Sequence, residues 1–321
     1  MAFVVSSLAN YTEENAAQLV ASSVLGAKTA SLIKSQGNVM VGVKSAETIN
    51  IMDTDAIFQD GASCGFTASG STSFTQRTVT VGKIKVNEAL CPKDLETKYL
   101  QKALTAGSTY DSIAFSAEYS QRKADKIAAQ LETAIWQGDT GSANVNLNKF
   151  DGLAKLVLAA CASVIHANTS GYYGTPLAAS AGITVSNVVA VLDAVYKAIP
   201  VEIIDAEDLK VMCGNDVYRL AVLAYQALNL YNYKVDGDAN QTFVIPGTNV
   251  ELVAVNGLNG TGDIYATTLS NIAMAFDLEA EEENYMIWYS KDNNEVRYRV
   301  AFKLGVNVAY TTLCVKFKSA I

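Results

Sequence analysis

The chain has 321 residues, half of them hydrophobic and 17% charged, with a net charge of −8. That length and apolar content support two or three units with cores of their own. The acidic balance excludes a protein built for tight nucleic-acid binding, which needs clustered Lys and Arg to neutralise phosphates.

Residues 1–38 read as an apolar lead followed by a helix. Thr12 is a cap, Glu13 and Glu14 suit the positive helix end, and Leu19, Val20, Val24, Ala27 and Ala30 form a stripe. Two readings stand side by side: a helix docked on its own core, or an arm lying on a neighbouring subunit. Residues 39–90 read as strands and turns. Val39, Val41 and Val43 alternate, and Asp60-Gly61 and the stretch from Ala68 to Ser73 are turn material. Val79 and Val81 share one parity and Ile84 and Val86 the other, with Gly82 between them. That shift predicts a bulge in a long, bent, two-stranded finger. Such a finger cannot bury its own apolar face, so Phe58, Phe66 and Phe74 need a partner surface.

A long helix is expected next. Ser108 and Asp111 make a capping-box-like start, and Ile113, Ala117, Ala124, Ile127, Leu131 and Ala134 share one face. Glu118 and Arg122 are an acid-first pair four apart on the wet side, and Gly138 after Trp136 and Gln137 ends the helix. About 27 residues make a rod of roughly 40 Å, long for a globular enzyme and suited to stiffening something large. Residues 156–275 read as an α/β unit. It holds a helix from Val185 to Ile199 stopped by Pro200, a buried strand from Leu209 to Cys213, and a second helix from Asn215 or Asp216 to Leu228. Strands over Val250–Val255, Ile264–Leu269 and Ile272–Phe276 follow. In 276–321, Val296, Tyr298, Val300, Phe302, Leu304, Val306, Val308 and Tyr310 share one parity, while Arg297, Arg299, Lys303 and Asn307 share the other. Tyr285 to Tyr289 pairs with this strand across Asp292-Asn293-Asn294. A long hairpin beside a long helix makes an α+β slab.

Chemistry-bearing patterns are few. Gly61-Ala62-Ser63-Cys64-Gly65 has nucleophile-elbow spacing. An elbow needs a helix behind it, and the residues from Phe66 to Phe74 are Ser, Thr and Gly-rich. A Ser hydrolase built on Ser63 and the single histidine, His166, is therefore the weak rival. Asp236, Asp238 and Asn240 imitate half a calcium loop but lack its later Gly and Glu. Five dispersed cysteines read as reduced thiols, and no apolar run is long enough to span a membrane. No catalytic, cofactor or metal site is expected. The acidic run Glu279-Ala280-Glu281-Glu282-Glu283 reads as a solvated turn, or as acids that pair with Arg297 or Arg299 of a neighbour.

The long helix ending in Trp136, Gly138 and Asp139, the Asn-rich loop after it, and Phe150-Asp151-Gly152-Leu153 resemble the major capsid proteins of tailed bacteriophages, the Hong Kong 97-type fold. The block from Thr75 to Glu96 and the phrase Phe58-Gln59-Asp60-Gly61 are similar to the same family. The resemblance implies an N-terminal arm (1–38), an extended β-hairpin loop reaching over a neighbour (39–90), a peripheral domain with a spine helix (91–155), an axial domain (156–275) and peripheral return strands (276–321). It implies self-assembly into hexamers and pentamers of an icosahedral shell around double-stranded DNA. The subunit would be a virion component assembled in the host bacterial cytoplasm. Candidate inter-subunit contacts are Phe58, Phe66, Phe74, Arg77, Leu19, Val24, Arg297, Arg299, Glu281 and Glu282. Without a long N-terminal scaffold-like segment, scaffolding is expected to be a separate protein, as are portal and decoration proteins. Packaged DNA would be met by non-specific proximity, since an acidic wall does not stick to a polyanion. An encapsulin, a nanocompartment shell of the same fold, is the near alternative.

Overall fold

In the computed structural model of the chain, the described residues are 26–36, 38–61, 65–66, 68–91, 112–160, 162–178, 181–228, 242–277, 285–293 and 295–318. Helix α1 (Lys28–Ser35) precedes β1 (Val39–Val41), β2 (Ala46–Thr54), β3 (Thr72–Thr80) and β4 (Gly82–Leu90). Helices α2 (Ser112–Gln137) and α3 (Leu153–Ala159) follow, then β5 (Ile165–His166), α4 (Val188–Ala198), β6 (Leu209–Cys213) and α5 (Asn215–Ala227). The chain ends with β7 (Thr242–Val244), β8 (Glu251–Ala254), β9 (Ile264–Thr268), β10 (Ile272–Asp277), β11 (Tyr285–Ser290), β12 (Glu295–Val308) and β13 (Val315–Phe317).

These elements build two sheets and a separate ribbon. The first sheet centres on β12. One edge of β12 takes β11 and then β10, with β1 outside β10, and the other edge takes β4. The strict alternation of β12 decides its packing: Val296, Tyr298, Val300, Phe302, Leu304, Val306 and Val308 are buried. They face α2, whose Ile127, Leu131, Ala134 and Ile135 recur at helical spacing and join the same core. Tyr119 meets Tyr298 edge-on, with ring centroids 5.7 Å apart. At 26 residues α2 is a rod of about 39 Å. The expected start at Ser108 and the Glu118 side chain lie outside the described residues.

The end of α2 explains both halves of the Trp-x-Gly-Asp and Phe-Asp-Gly-Leu pattern. Gly138 donates its N–H to Ala134 O (2.9 Å), and Gly152 donates to Gly138 O (2.8 Å). A Cβ on Gly138 would sit 2.6 Å from the Phe150 carbonyl, so only glycine lets the returning chain pass this close. Lys155 then closes the loop by binding Asp139 and Asp151, each at 2.7 Å. These contacts hold both aspartates below the ordinary carboxylate range. Burial opposes the shift at Asp151, and the bonds from Lys155 and Thr140 outweigh it.

The second sheet has the order β5-β13-β9-β6-β8-β7. Helices α4 and α5 belong to its core, which contains Val188, Val191, Leu192 and Val195 together with Val217, Ala221 and Ala224. The elements read from the sequence in this unit agree in type and lie within a few residues of their expected ends. Trp136 joins the two units. It packs on Tyr265 of β9 with ring centroids 5.3 Å apart, inside the core that also holds the β12 side chains.

Three strands fall elsewhere than expected. β4, read as the second limb of the finger, lies along β12, with Val86 opposite Val300. The parity shift at Gly82 is therefore the point where the chain leaves the ribbon and enters the sheet, not a bulge. The Gly82 α-carbon abuts the Lys149 carbonyl, leaving no room for a side chain. β10, read as part of the α/β unit, pairs with β12, and β13 at the chain's end pairs with β5 and β9 of the other sheet. The finger itself is β2 and β3 alone, paired from Ala46↔Thr80 to Thr54↔Thr72.

Candidate functional site

The ribbon is the element that the subunit leaves incomplete. A two-stranded ribbon has no layer to cover it, and along β2 and β3 only Ile51 and Val79 are buried. Met52 and Phe74 form a cross-strand pair in the open. At the tip, Phe58 is 98% exposed, Phe66 95% and Phe74 74%. Ile57 is bare as well. Large apolar groups this open are candidates for an interaction surface. Polar contacts shape the ribbon: at its tip Asp55 accepts from the Ser71 backbone and the hydroxyls of Thr54 and Thr72 are 3.0 Å apart, and midway along it Gln76 donates to Asn50 at 2.8 Å.

The ribbon's root is fixed to its own subunit. Val43, Val79 and Val81 pack on Ala273 and Ala275 of β10. Arg77 donates to Asn307 Oδ1 at 3.2 Å, and Asn307 donates to the Thr78 carbonyl at 2.8 Å. Burial lowers the Arg77 pKa. Arg77, expected at a contact between subunits, thus aims the ribbon from within.

The other expected contact residues divide. Leu19, Val24, Glu281 and Glu282 lie outside the described residues, as do Ser63 and the Asp236–Asn240 stretch. Arg299 is exposed on β12, and Arg297 stands 3.6 Å from Glu295 on the same strand. From Phe66 the described residues run through coil into strand β3, and among them no helix follows Ser63. His166 sits in β5, beside β13 of the second sheet. Among the described residues no group of acids, His or Cys is arranged to hold a metal, and no helix is long and apolar enough to cross a membrane.

A cluster that sequence reading missed sits where the N-terminal segment meets α2. Ala27, Ala30 and Ile33 are buried in the subunit's own core, so from residue 27 the docked reading holds. Thr29 is the hinge of a buried network. Its N–H donates to Glu132 Oε2 (2.9 Å), its hydroxyl donates to Glu132 Oε1 (2.6 Å), and it accepts from Trp136 Nε1 (2.8 Å). Lys28 reaches the Ala254 carbonyl at 2.8 Å. Burial raises the Glu132 pKa, against bonds from Thr29 and Gly257 and the charge of Lys28. The signal in the sequence was the i, i+4 spacing of Glu132 and Trp136 on one helix face.

No family model matches the sequence, and no curated protein matches it. Solved structures do. A chain of the satellite phage P4 procapsid superposes with a TM-score of 0.58 at 14% identity, over 91% of this chain and 89% of that one. A chain from the capsid of an empty GTA particle gives 0.53 at 13% identity, over 92% and 91%. A chain from the capsid of Myoviridae phage XM1 gives 0.52 at 13% identity, over 90% and 92%. The chain has the phage major capsid fold. The α+β class and the phage capsid fold expected from the sequence agree with that likeness.

Proposed function

We propose that the protein is the major shell subunit of a tailed phage, a structural protein and not an enzyme, which self-associates into hexamers and pentamers. These rings close an icosahedral container around double-stranded DNA. The reading is carried by the capsid fold along nine-tenths of the chain. The ribbon supports it, because Phe58, Phe66, Phe74, Ile57 and Met52 need a cover that their own subunit does not provide. Burying each tip phenylalanine against a neighbour contributes about 2–3 kcal/mol before ordering costs. Repeated around a ring and over a shell, such modest contacts sum through multivalency.

In this reading Leu19 and Val24 lie on a neighbour, and Glu281 and Glu282 stand at a contact between copies. Scaffolding, portal and decoration proteins are separate chains. The finished subunit resides in the virion after assembly in the host bacterial cytoplasm. Size-exclusion chromatography with negative-stain microscopy of the purified protein tests the proposal. Rings, tubes or closed particles are expected. A compact species that stays monomeric at high concentration overturns it, and enzymes copurifying inside the particles would move it to an encapsulin.

A further inference from the structure

The first sheet has two faces, and only one is covered by α2. On the other, cross-strand pairing gathers side chains that are far apart in sequence. Trp288 of β11 and Ala89 of β4 flank Arg297. Met286 and Asn87 flank Arg299, Lys85 pairs with Ala301, and Lys83 and Asp277 flank Lys303. Burial alternates accordingly: Lys83, Lys85, Asn87, Met286, Trp288 and Arg299 are exposed on this side. The ribbon root covers the neighbouring part of the face, over Ala273 and Ala275.

Among the described residues, charge on this face is unbalanced. Lys303 is tied to Asp277 at 2.6 Å, and Arg297 has Glu295 at 3.6 Å. Lys83, Lys85 and Arg299 have no ion pair among the described residues. Cations on one strand face stand about 7 Å apart, strands about 5 Å apart, and the strip from Arg297 to Lys303 runs about 20 Å. A concentrated basic strip on a chain of net charge −8 is a local feature that whole-chain charge conceals.

We propose that this face is a sequence-independent contact surface for the phosphate backbone of duplex DNA. The strip is spread over neighbouring strands. A duplex presents one negative charge about every 1.7 Å along its axis, dense enough to meet each cation in any register. Arg297 and Arg299 can fork onto phosphate oxygens, while Lys83 and Lys85 act as mobile point charges. An acidic peptide fits less well. The 279–283 run spans about 14 Å when extended and lays its charge along a single line. Naming DNA as the occupant rests on the shell reading. The contact is weak and salt-sensitive, in keeping with a wall that does not hold its cargo.

The test is a fluorescence-anisotropy titration of dispersed subunits with a short random-sequence duplex across a range of salt. Three or four phosphate contacts give a slope of log K against log salt of about −3. Lys83→Gln, Lys85→Gln and Arg299→Gln should each reduce that slope by about one, and the triple variant should lose binding. Lys197→Gln, on the exposed side of α4, should leave the slope unchanged. Absence of duplex binding at low salt, or a wild-type slope in the triple variant, overturns the proposal. So does a synthetic 278–284 peptide that binds in a Lys83-, Lys85- and Arg299-dependent way where duplex does not. Particle formation is scored separately by microscopy, so a failed titration leaves the shell reading standing.

Discussion

Thr29→Val is the sharpest probe of how the N-terminal segment is held. Valine keeps the shape of threonine and removes one hydroxyl, and that hydroxyl serves two buried partners. Trp136 Nε1 loses the acceptor at 2.8 Å, and the indole is only 1% exposed. An orphaned buried donor costs about 1–3 kcal/mol. Glu132 Oε1 loses a donor at 2.6 Å, and Glu132 is 3% exposed. A hydrogen bond to a charged group contributes about 1.5–3 kcal/mol. The added methyl returns less than about 1 kcal/mol. The net loss is about 3 kcal/mol, a large part of the 5–15 kcal/mol typical of a folded domain. Denaturant unfolding of dispersed subunits, followed by tryptophan fluorescence, reads the change. Thr29→Ser keeps the hydroxyl and should stay within about 1 kcal/mol of the parent. If Thr29→Val unfolds with the parent, or Thr29→Ser loses as much, the network does not hold α1 to α2.

Replacing Phe58, Phe66 and Phe74 together by Ser should leave subunit stability within about 0.5 kcal/mol per site, because the rings are bare, and should abolish particles under the microscope. Gly82→Ala should cost about 1–3 kcal/mol in the same unfolding assay, since a Cβ there meets the Lys149 backbone. Two pH effects of opposite sign are expected. Asp139 and Asp151 are held below their ordinary values by Lys155, so their contribution is present above about pH 4 and fades as pH falls further. Lys155→Met should therefore differ from the parent at neutral pH and converge with it in acid. Glu132 is raised by burial, so its contribution is largest in acid and declines as pH rises above about 4. Glu132→Gln should flatten that decline in a series of unfolding midpoints.

What could be read from the sequence follows the range of the interaction. The alternation of β12, the turn to β11 and the helical face of α2 are local patterns, each set by side chains within a few residues, and each is present as read. The placement of β4, β10 and β13 was not legible. Parity says which side chains share a face, but not which strand lies alongside. Val86 finds Val300, and Val315 finds Ile165, across more than a hundred residues of chain. The same gap explains Arg77. Its partner Asn307 is 230 positions away, so an inward-aimed guanidinium reads as an outward one. Glu132 looks like a wet-face acid until α1 covers it. The basic strip was half legible, as Arg297 and Arg299, and became a cluster only when β4 brought Lys83 and Lys85 beside them.

These long-range pairings also bear on why the ribbon is the informative element. β4 ties the ribbon's return limb into the first sheet, and β13 carries the chain's end into the second. Apolar positions on β4, β12 and β13 thereby find partners inside the subunit, even where local pattern does not reveal them. The aromatic tip of the ribbon does not. Local pattern alone marks Phe58, Phe66 and Phe74 as needing a partner, and the folded subunit still leaves them bare. A residue whose partner is distant in sequence becomes covered once the chain folds, as Arg77 does. In the proposed shell, the aromatic residues that stay uncovered after these pairings have formed are the ones a neighbouring copy covers.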